Sequence, residues 1–132
     1  MKAVSVLHPA GSRIATGEKT IEVRPWRPDL APDEDVVIVE THRRLEAVDD
    51  TDLNGRIVAV AKVKAVRPFT VSDIARACAL FFQDGQLAWE LTEVRPVRPP
   101  RGPVTAARKL YELDVTLEEL LDSPPTPKAR SA

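Results

Sequence analysis

The sequence contains a single cysteine, Cys78, and two histidines among its 132 residues. One cysteine excludes an intrachain disulfide and agrees with a reducing, cytoplasmic location. So few sulfur and imidazole ligands also exclude zinc sites that are built from several cysteines or histidines. The sequence therefore predicts neither a metal site nor an organic cofactor.

Long apolar runs are also missing. No segment approaches the length of a membrane span, and the first ten residues, MKAVSVLHPA, lack the apolar core of a secretory signal. The sequence therefore predicts no membrane association and no secretion.

The chain has almost no excess of charge of either sign, because 19 basic residues and 20 acidic residues give a formal net charge of −1. This excludes a protein that binds polyanions through general positive charge. The charges are nevertheless segregated: 29–52 carries nine acidic residues against two arginines, whereas every charged residue in 95–109 is basic. The pattern favours a basic face on the folded chain, although each run taken alone is also typical of solvated surface charge.

Short apolar segments predict a chain dominated by strands, at 2–7, 18–24, 36–41, 55–66, 86–97 and 109–115. The segment RPPRGP between the last two predicts a stiff loop. With two or three short helices, the pattern predicts an α+β fold built on a small, mixed, partly closed β-barrel of about five or six strands. At this length one domain is expected, over 1–121, followed by a disordered proline-rich tail at 122–132.

Three segments carry helix signals. Pro9 suits the first turn of a helix that Gly17 ends. A second helix is expected from a capping box of Thr70 and Asp73 up to Gly85, and a third starts at 116 with a similar box. Helical spacing in the second one predicts that Cys78, Phe81 and Phe82 are buried.

The segment GEKTIEVRPW at 17–26 carries the densest cluster of chemically useful side chains. By alternation Glu22 and Arg24 share one face of the strand, and Lys19 falls on the other unless the pleat fails at the strand's start. One interpretation is a plain ion pair on a surface strand. The other is a binding cleft.

This segment resembles the opening of an ASCH domain, a member of the PUA-like superfold. The family signature is Gly-x-Lys-x-x-Glu-x-Arg, and Gly17, Lys19, Glu22 and Arg24 match every position, with Trp26 as the aromatic that commonly follows. The segments at 55–66, 85–100 and 109–115 are similar to later strands of the family, so the resemblance covers roughly 2–115. Where many relatives have Gln-Pro-Trp, this chain has His8-Pro9-Ala10, which suggests a wider or differently specific pocket.

The resemblance implies a PUA-like barrel with a cleft that takes RNA, another single-stranded nucleic acid or a nucleotide. The expected site residues are His8, Lys19, Glu22, Arg24, Trp26 and Arg27. Lysine and arginine suit phosphate, a tryptophan can stack a base, and a glutamate can accept hydrogen bonds from a base amine. In a scaffold role, the same charges would only pair with one another and Trp26 would cap the end of the barrel.

A second hypothesis is enzymatic. One branch of the superfamily hydrolyses N4-acetylcytidine with a lysine, a threonine and a glutamate. Lys19 matches that lysine, but Glu22 stands where the threonine would be, and Glu90 or Asp73 are the candidates for the third partner. Ribonuclease activity is also associated with ASCH proteins, and it would give Lys19, with Glu22, a catalytic role.

The two histidines do not suggest a catalytic pair, because His8 and His42 lie in different segments. His8 can face the cleft, whereas His42 is expected in a loop. Arg95, Arg98 and Arg101 can either follow a phosphate backbone or act as solubilising charges. A third hypothesis is a protein-interaction module that uses the acidic segment at 29–52 or the tail.

Overall fold

A six-stranded mixed sheet forms most of the fold in the computed structural model, which describes residues 1–121; the predicted tail lies outside the described residues. The elements in chain order are β1 (Lys2–Leu7), α1 (Ala10–Thr16), β2 (Ile21–Arg24), β3 (Asp35–Thr41), β4 (Asp52–Pro68), a 3-10 turn (Val71–Asp73), α2 (Ile74–Ala77), β5 (Leu87–Ala106), β6 (Leu110–Glu112) and α3 (Leu117–Leu121). The predicted α+β class and the strand and helix numbers are confirmed.

The sheet is open, with the strand order β2-β5-β4-β3-β1-β6. Among the strands that the structure describes, only β1 and β3 run parallel, and α1 belongs to the crossover between them. Within 1–121, β2 and β6 form the two edges and do not pair with each other, so the sheet does not form the predicted, partly closed β-barrel. Closure needs a continuous ladder between the edges, and these edge strands have only four and three residues.

The segment RPPRGP is part of β5 and not the predicted loop. Opposite it, β4 advances from Ile57 to Ala59 while β5 covers Pro96 to Arg101, so two steps on one strand face five on the other. Such a bulge leaves extra residues unpaired. Prolines, which have no N–H for a ladder, are tolerated at those positions.

The second predicted helix is much shorter than expected. It ends at Ala77, is capped by Cys78 with a left-handed φ of 52°, and does not continue to Gly85. Phe81 and Phe82 are therefore exposed and not in the core, while Cys78 is half-buried. The helices have seven, four and five residues, and none within the described chain is long and apolar enough to cross a membrane.

The central strands are buried on both faces, which explains their continuous apolar runs. Val36 and Ile38 on β3 join a cluster with Ile14 of α1. Val37 and Val39, which point the opposite way, join a second cluster against α3. The sheet thereby holds the start of β2 and the ends of β1 and β3 around one depression, described next.

Candidate functional site

A cleft of about 770 Å³ opens beside β2 and the ends of β1 and β3. Four of the six predicted site residues line it: Lys19, Glu22, Arg24 and Trp26. His8 and Arg27 are exposed and do not line it. The signature side chains therefore converge on one concavity, as the ASCH resemblance implies.

Lys19 reaches the cleft because the chain turns sharply before β2. Gly17 ends α1 with a left-handed φ of 86°, which favours glycine. The backbone N–H of Lys19 then bonds to Arg13 O at 3.0 Å. Since β2 begins only at Ile21, strand alternation does not apply to Lys19, and its side chain lies near Glu22.

The Lys19 ammonium is buried and is held by two backbone carbonyls and one carboxylate. Its Nζ donates to Ile21 O at 2.9 Å and to Ala77 O at 2.6 Å, and it lies 3.5 Å from Glu22 Oε1. Two of its three hydrogens are therefore donated to backbone carbonyls, and Glu22 supplies a nearby counter-charge. Lys19 therefore organises the base of the cleft and does not project a free charge into it.

Glu22 lies between two cations. In addition to Lys19, Arg24 donates from Nε to Glu22 Oε2 at 2.6 Å, so the ion pair expected on the strand exists. A second guanidinium nitrogen of Arg24 donates to Ser5 O on β1 at 2.6 Å. These contacts fix the Arg24 side chain between two strands, with 22% of it exposed to solvent.

The acceptor Ala77 is held in place by an ion cluster around Asp73. The predicted capping box of Thr70 and Asp73 is present. Asp73 is 1% exposed and receives two hydrogen bonds from Arg67, at 2.7 and 2.9 Å, and one from Arg76. The hydrogen bonds from Arg67, above all, hold the pKa of Asp73 far below its usual range despite burial. These contacts fix the turn that leads into α2, and Ala77 is the last residue of that helix.

Glu90, like Asp73, belongs to that cluster and not to the cleft. Arg67 Nε donates to Glu90 Oε2, and this hydrogen bond lowers the pKa of the Glu90 carboxyl. Neither carboxylate lines the cleft. The structure therefore does not bring either candidate third partner into the cleft with Lys19.

Trp26 forms part of the cleft wall and is fixed by the core behind it. Its ring meets Trp89 edge to face at a centroid distance of 5.0 Å, and Trp89 Nε1 donates to Trp26 O at 3.2 Å. Arg24 and Lys109 place cationic groups 6.0 and 5.8 Å from the Trp26 ring centre. Trp26 thus both covers the core and presents an aromatic surface to the cleft.

Three basic residues of the cleft were not among the predicted site residues: Arg44, Arg108 and Lys109. The all-basic run at 95–109 was a signal for the last two, whereas Arg44 lies in a segment that is mostly acidic. With Lys19 and Arg24 they make five basic lining residues against one acidic residue, Glu22. The cleft is therefore positive although the whole chain is nearly neutral.

His8 and His42 are neighbours, contrary to the prediction from their separation in sequence. Parallel pairing sets Leu7 opposite Thr41, and the two imidazoles that follow stack at 4.5 Å. His8 Nδ1 lies 3.1 Å from the buried carboxylate of Glu40. This histidine pair adjoins the cleft wall without lining it, and the described residues hold no group of three potential metal ligands.

The three arginines of β5 lie outside the cleft. Arg95 pairs with Asp35, and Arg101 donates to Glu119 O at 2.6 Å. Arg98 is exposed. Two of the three therefore have structural contacts, which does not favour the phosphate-tracking interpretation for them.

Comparison with known proteins supports the resemblance. A family model described as the ASCH domain matches residues 4–101. Three crystal structures from Zymomonas mobilis are similar in fold. The first is an ASCH protein, with 16% sequence identity and a TM-score of 0.56; the match covers 85% of this chain and 86% of that one. The second is its serine-to-alanine mutant, with 18% identity, a TM-score of 0.56 and coverage of 85% and 87%. The third is its tyrosine-to-phenylalanine mutant, with 17% identity, a TM-score of 0.58 and coverage of 85% and 88%. No curated protein matches the sequence.

Proposed function

The chain belongs to the ASCH domain family, and from this premise we propose that its cleft binds single-stranded nucleic acid, with RNA as the preferred ligand. One observation carries the proposal: a cleft with five basic side chains and one acidic side chain, and with Trp26 in its wall. Positive charge that follows a phosphate backbone, together with aromatic surface for bases, is the usual composition of single-strand binding sites.

The basic residues divide into two groups. Lys19 and Arg24 neutralise Glu22 and are held by backbone carbonyls. Arg44, Arg108 and Lys109 form no ion pair with any residue of the described chain. We assign the phosphate contacts to this second group, since guanidinium and ammonium groups outside ion pairs can offer their N–H donors to phosphate oxygens.

We assign the contacts with a nucleobase of the bound strand to Trp26 and Arg24. Trp26 cannot move freely, because Trp89 packs against its ring and donates to its carbonyl, so little conformational entropy is lost when a base stacks on it. Arg24 keeps one guanidinium nitrogen, Nη1, free of the two contacts described above. That nitrogen can donate to a base carbonyl or to a phosphate.

The hydrolase hypothesis has less support. A catalytic lysine needs a nitrogen that can reach the substrate, whereas Lys19 Nζ donates to two backbone carbonyls and pairs with Glu22. Glu22 stands where the hydrolytic relatives have threonine, and it is an ion-paired carboxylate. The geometry favours a binding role for the cleft.

The hypothesis of a protein-interaction module also has less support from the segment at 29–52. Several of its carboxylates are used within the fold: Asp35 pairs with Lys62 and Arg95, Glu40 binds Ser12, and Asp50 pairs with Arg43. The acidic run therefore serves internal contacts as well as the surface.

Fluorescence anisotropy with a labelled five-nucleotide RNA tests the proposal. Binding should weaken as salt rises, and Arg108→Ala should lower the affinity and reduce the salt slope by about one phosphate contact. Arg98→Ala is the matched control, because Arg98 is an exposed arginine outside the cleft. Equal losses for both variants, or no RNA binding by the wild type, would refute the proposal.

A further inference from the structure

A run of exposed apolar side chains lies directly after α2. Leu80, Phe81 and Phe82 are 94%, 66% and 37% exposed. Single apolar residues on a surface are ordinary, but three in succession with two aromatic rings form a patch that indicates a binding surface. The signature cleft does not include them.

Leu80 and Phe81 line a second groove of about 310 Å³. Its walls are apolar, formed mainly by Val23, Phe69, Ala79 and Phe81, and two carboxamide residues, Gln83 and Gln86, complete it. Val23 and Ala79 also line the signature cleft. The second groove therefore adjoins the positive cleft, with these two residues common to both.

The aromatic floor of this surface is preorganised. Phe69 is 5% exposed, and its backbone N–H bonds to Gln86 O at 2.9 Å. Phe82 stacks on Phe69 at 5.7 Å with an angle of 14° between the rings. Phe82 is thus held by a buried ring, and the more exposed Phe81 stands beside it as the free aromatic surface.

We propose that the second groove takes one nucleobase of the strand whose neighbouring nucleotide occupies the cleft. This inference rests on the proposed function. The groove has no charged lining residue, so phosphate has no partner there, but a base face can stack on Phe81 while its edge bonds to the carboxamides of Gln83 and Gln86. An apolar peptide or a second copy would not need the adjoining positive cleft.

The proposal predicts that the second groove contributes only when the ligand is longer than one nucleotide. With the five-nucleotide RNA, Phe81→Ala should lower the affinity roughly 5- to 150-fold, the range for one stacked base. With adenosine 5′-monophosphate, whose phosphate directs it to the cleft, the same variant should bind as the wild type does. Leu53→Ala, at another exposed apolar residue outside both grooves, should change neither affinity.

A second variant tests the reading of the base edge. Gln83→Leu keeps the size of the side chain but removes its hydrogen-bonding groups, so the order of affinity among five-nucleotide A, C, G and U homopolymers should change. Gln86→Leu is tested in the same way, and an unchanged order in both variants would remove the base-edge part of the proposal.

Three outcomes would overturn the inference. If Phe81→Ala binds the five-nucleotide RNA as tightly as the wild type while Arg108→Ala binds it weakly, this inference fails and the proposed function stands. If the wild type binds neither ligand, the proposed function fails first. If sedimentation without RNA shows a dimer that Phe81→Ala abolishes, the patch belongs to a second copy of the chain.

Discussion

The Lys19 ammonium donates a 2.6 Å hydrogen bond to the carbonyl oxygen of Ala77, which joins the signature segment to the last residue of α2. Because 58 residues separate the two partners, the signature lysine holds together two distant parts of the chain at the base of the cleft. The contact gives Lys19 a structural role that its position in the motif does not reveal.

Replacing Lys19 should therefore destabilise the protein. Lys19→Ala leaves the carbonyls of Ile21 and Ala77 without their donor, and each buried, unsatisfied carbonyl costs about 1–3 kcal/mol. We expect the free energy of unfolding, measured with urea, to fall by roughly 2–6 kcal/mol. The control is Lys64→Ala, at an exposed lysine; similar stability of the two variants would contradict this role.

Trp26 should matter for affinity through its aromatic surface. Trp26→Ala is expected to weaken binding of the five-nucleotide RNA by about 1–3 kcal/mol, the contribution of one stacked base. Trp26→Phe keeps a ring at the same position and should retain most of the affinity. Anisotropy titrations, with circular dichroism to verify folding, would measure both; equal affinities for the two variants would exclude stacking on Trp26.

Acid stability should depend on Asp73. Its pKa is lowered in the folded state, mainly by hydrogen bonds from Arg67, so the carboxylate stabilises the fold above its ordinary pKa of about 4 and loses that effect as the pH falls below it. The contribution is on the order of 2–3 kcal/mol for a salt-bridged aspartate. Urea unfolding between pH 6 and 2 should show a steeper decline for the wild type than for Asp73→Asn. Asp33→Asn, at an exposed carboxylate, should decline as the wild type does.

Gly11 allows α1 to lie against Glu40. A Cβ at this position would lie 2.9 Å from the Glu40 Cβ and 3.0 Å from Oε2, although helix propensity alone favours alanine by about 1 kcal/mol. We expect the steric clash to prevail, so that Gly11→Ala lowers the free energy of unfolding by about 1–3 kcal/mol. Thr16→Ala, at the exposed end of the same helix, should have little effect. A stabilised Gly11→Ala variant would show that Glu40 moves aside easily.

Features fixed by local chemistry could be predicted from the sequence. Gly17 ends α1, and the capping boxes at Thr70 and Thr116 begin their turns as expected, because each depends on residues a few positions apart. The convergence of Lys19, Glu22 and Arg24 was also expected, but from the resemblance to ASCH domains and not from the strand pattern, which separates Lys19 from Glu22.

Features that depend on pairing between distant segments could not be predicted. The stacking of His8 on His42 follows from the parallel register of β1 and β3, which neither segment encodes alone. The apolar spacing that predicts a long second helix includes Phe81, but the left-handed Cys78 ends that helix first. In the same way, RPPRGP carries loop residues and becomes a strand only because a bulge against β4 accommodates its prolines.

The most direct test of the account is an NMR titration of the isotope-labelled protein with the five-nucleotide RNA. The account predicts that the shifted backbone amides cluster in segments that line the cleft, at 5–7, 22–26, 44–45, 77–79 and 107–109, and that Arg108→Ala weakens the titration. Shifts confined to other surfaces, or no shifts at RNA concentrations well above that of the protein, would contradict the claim that this cleft binds single-stranded nucleic acid.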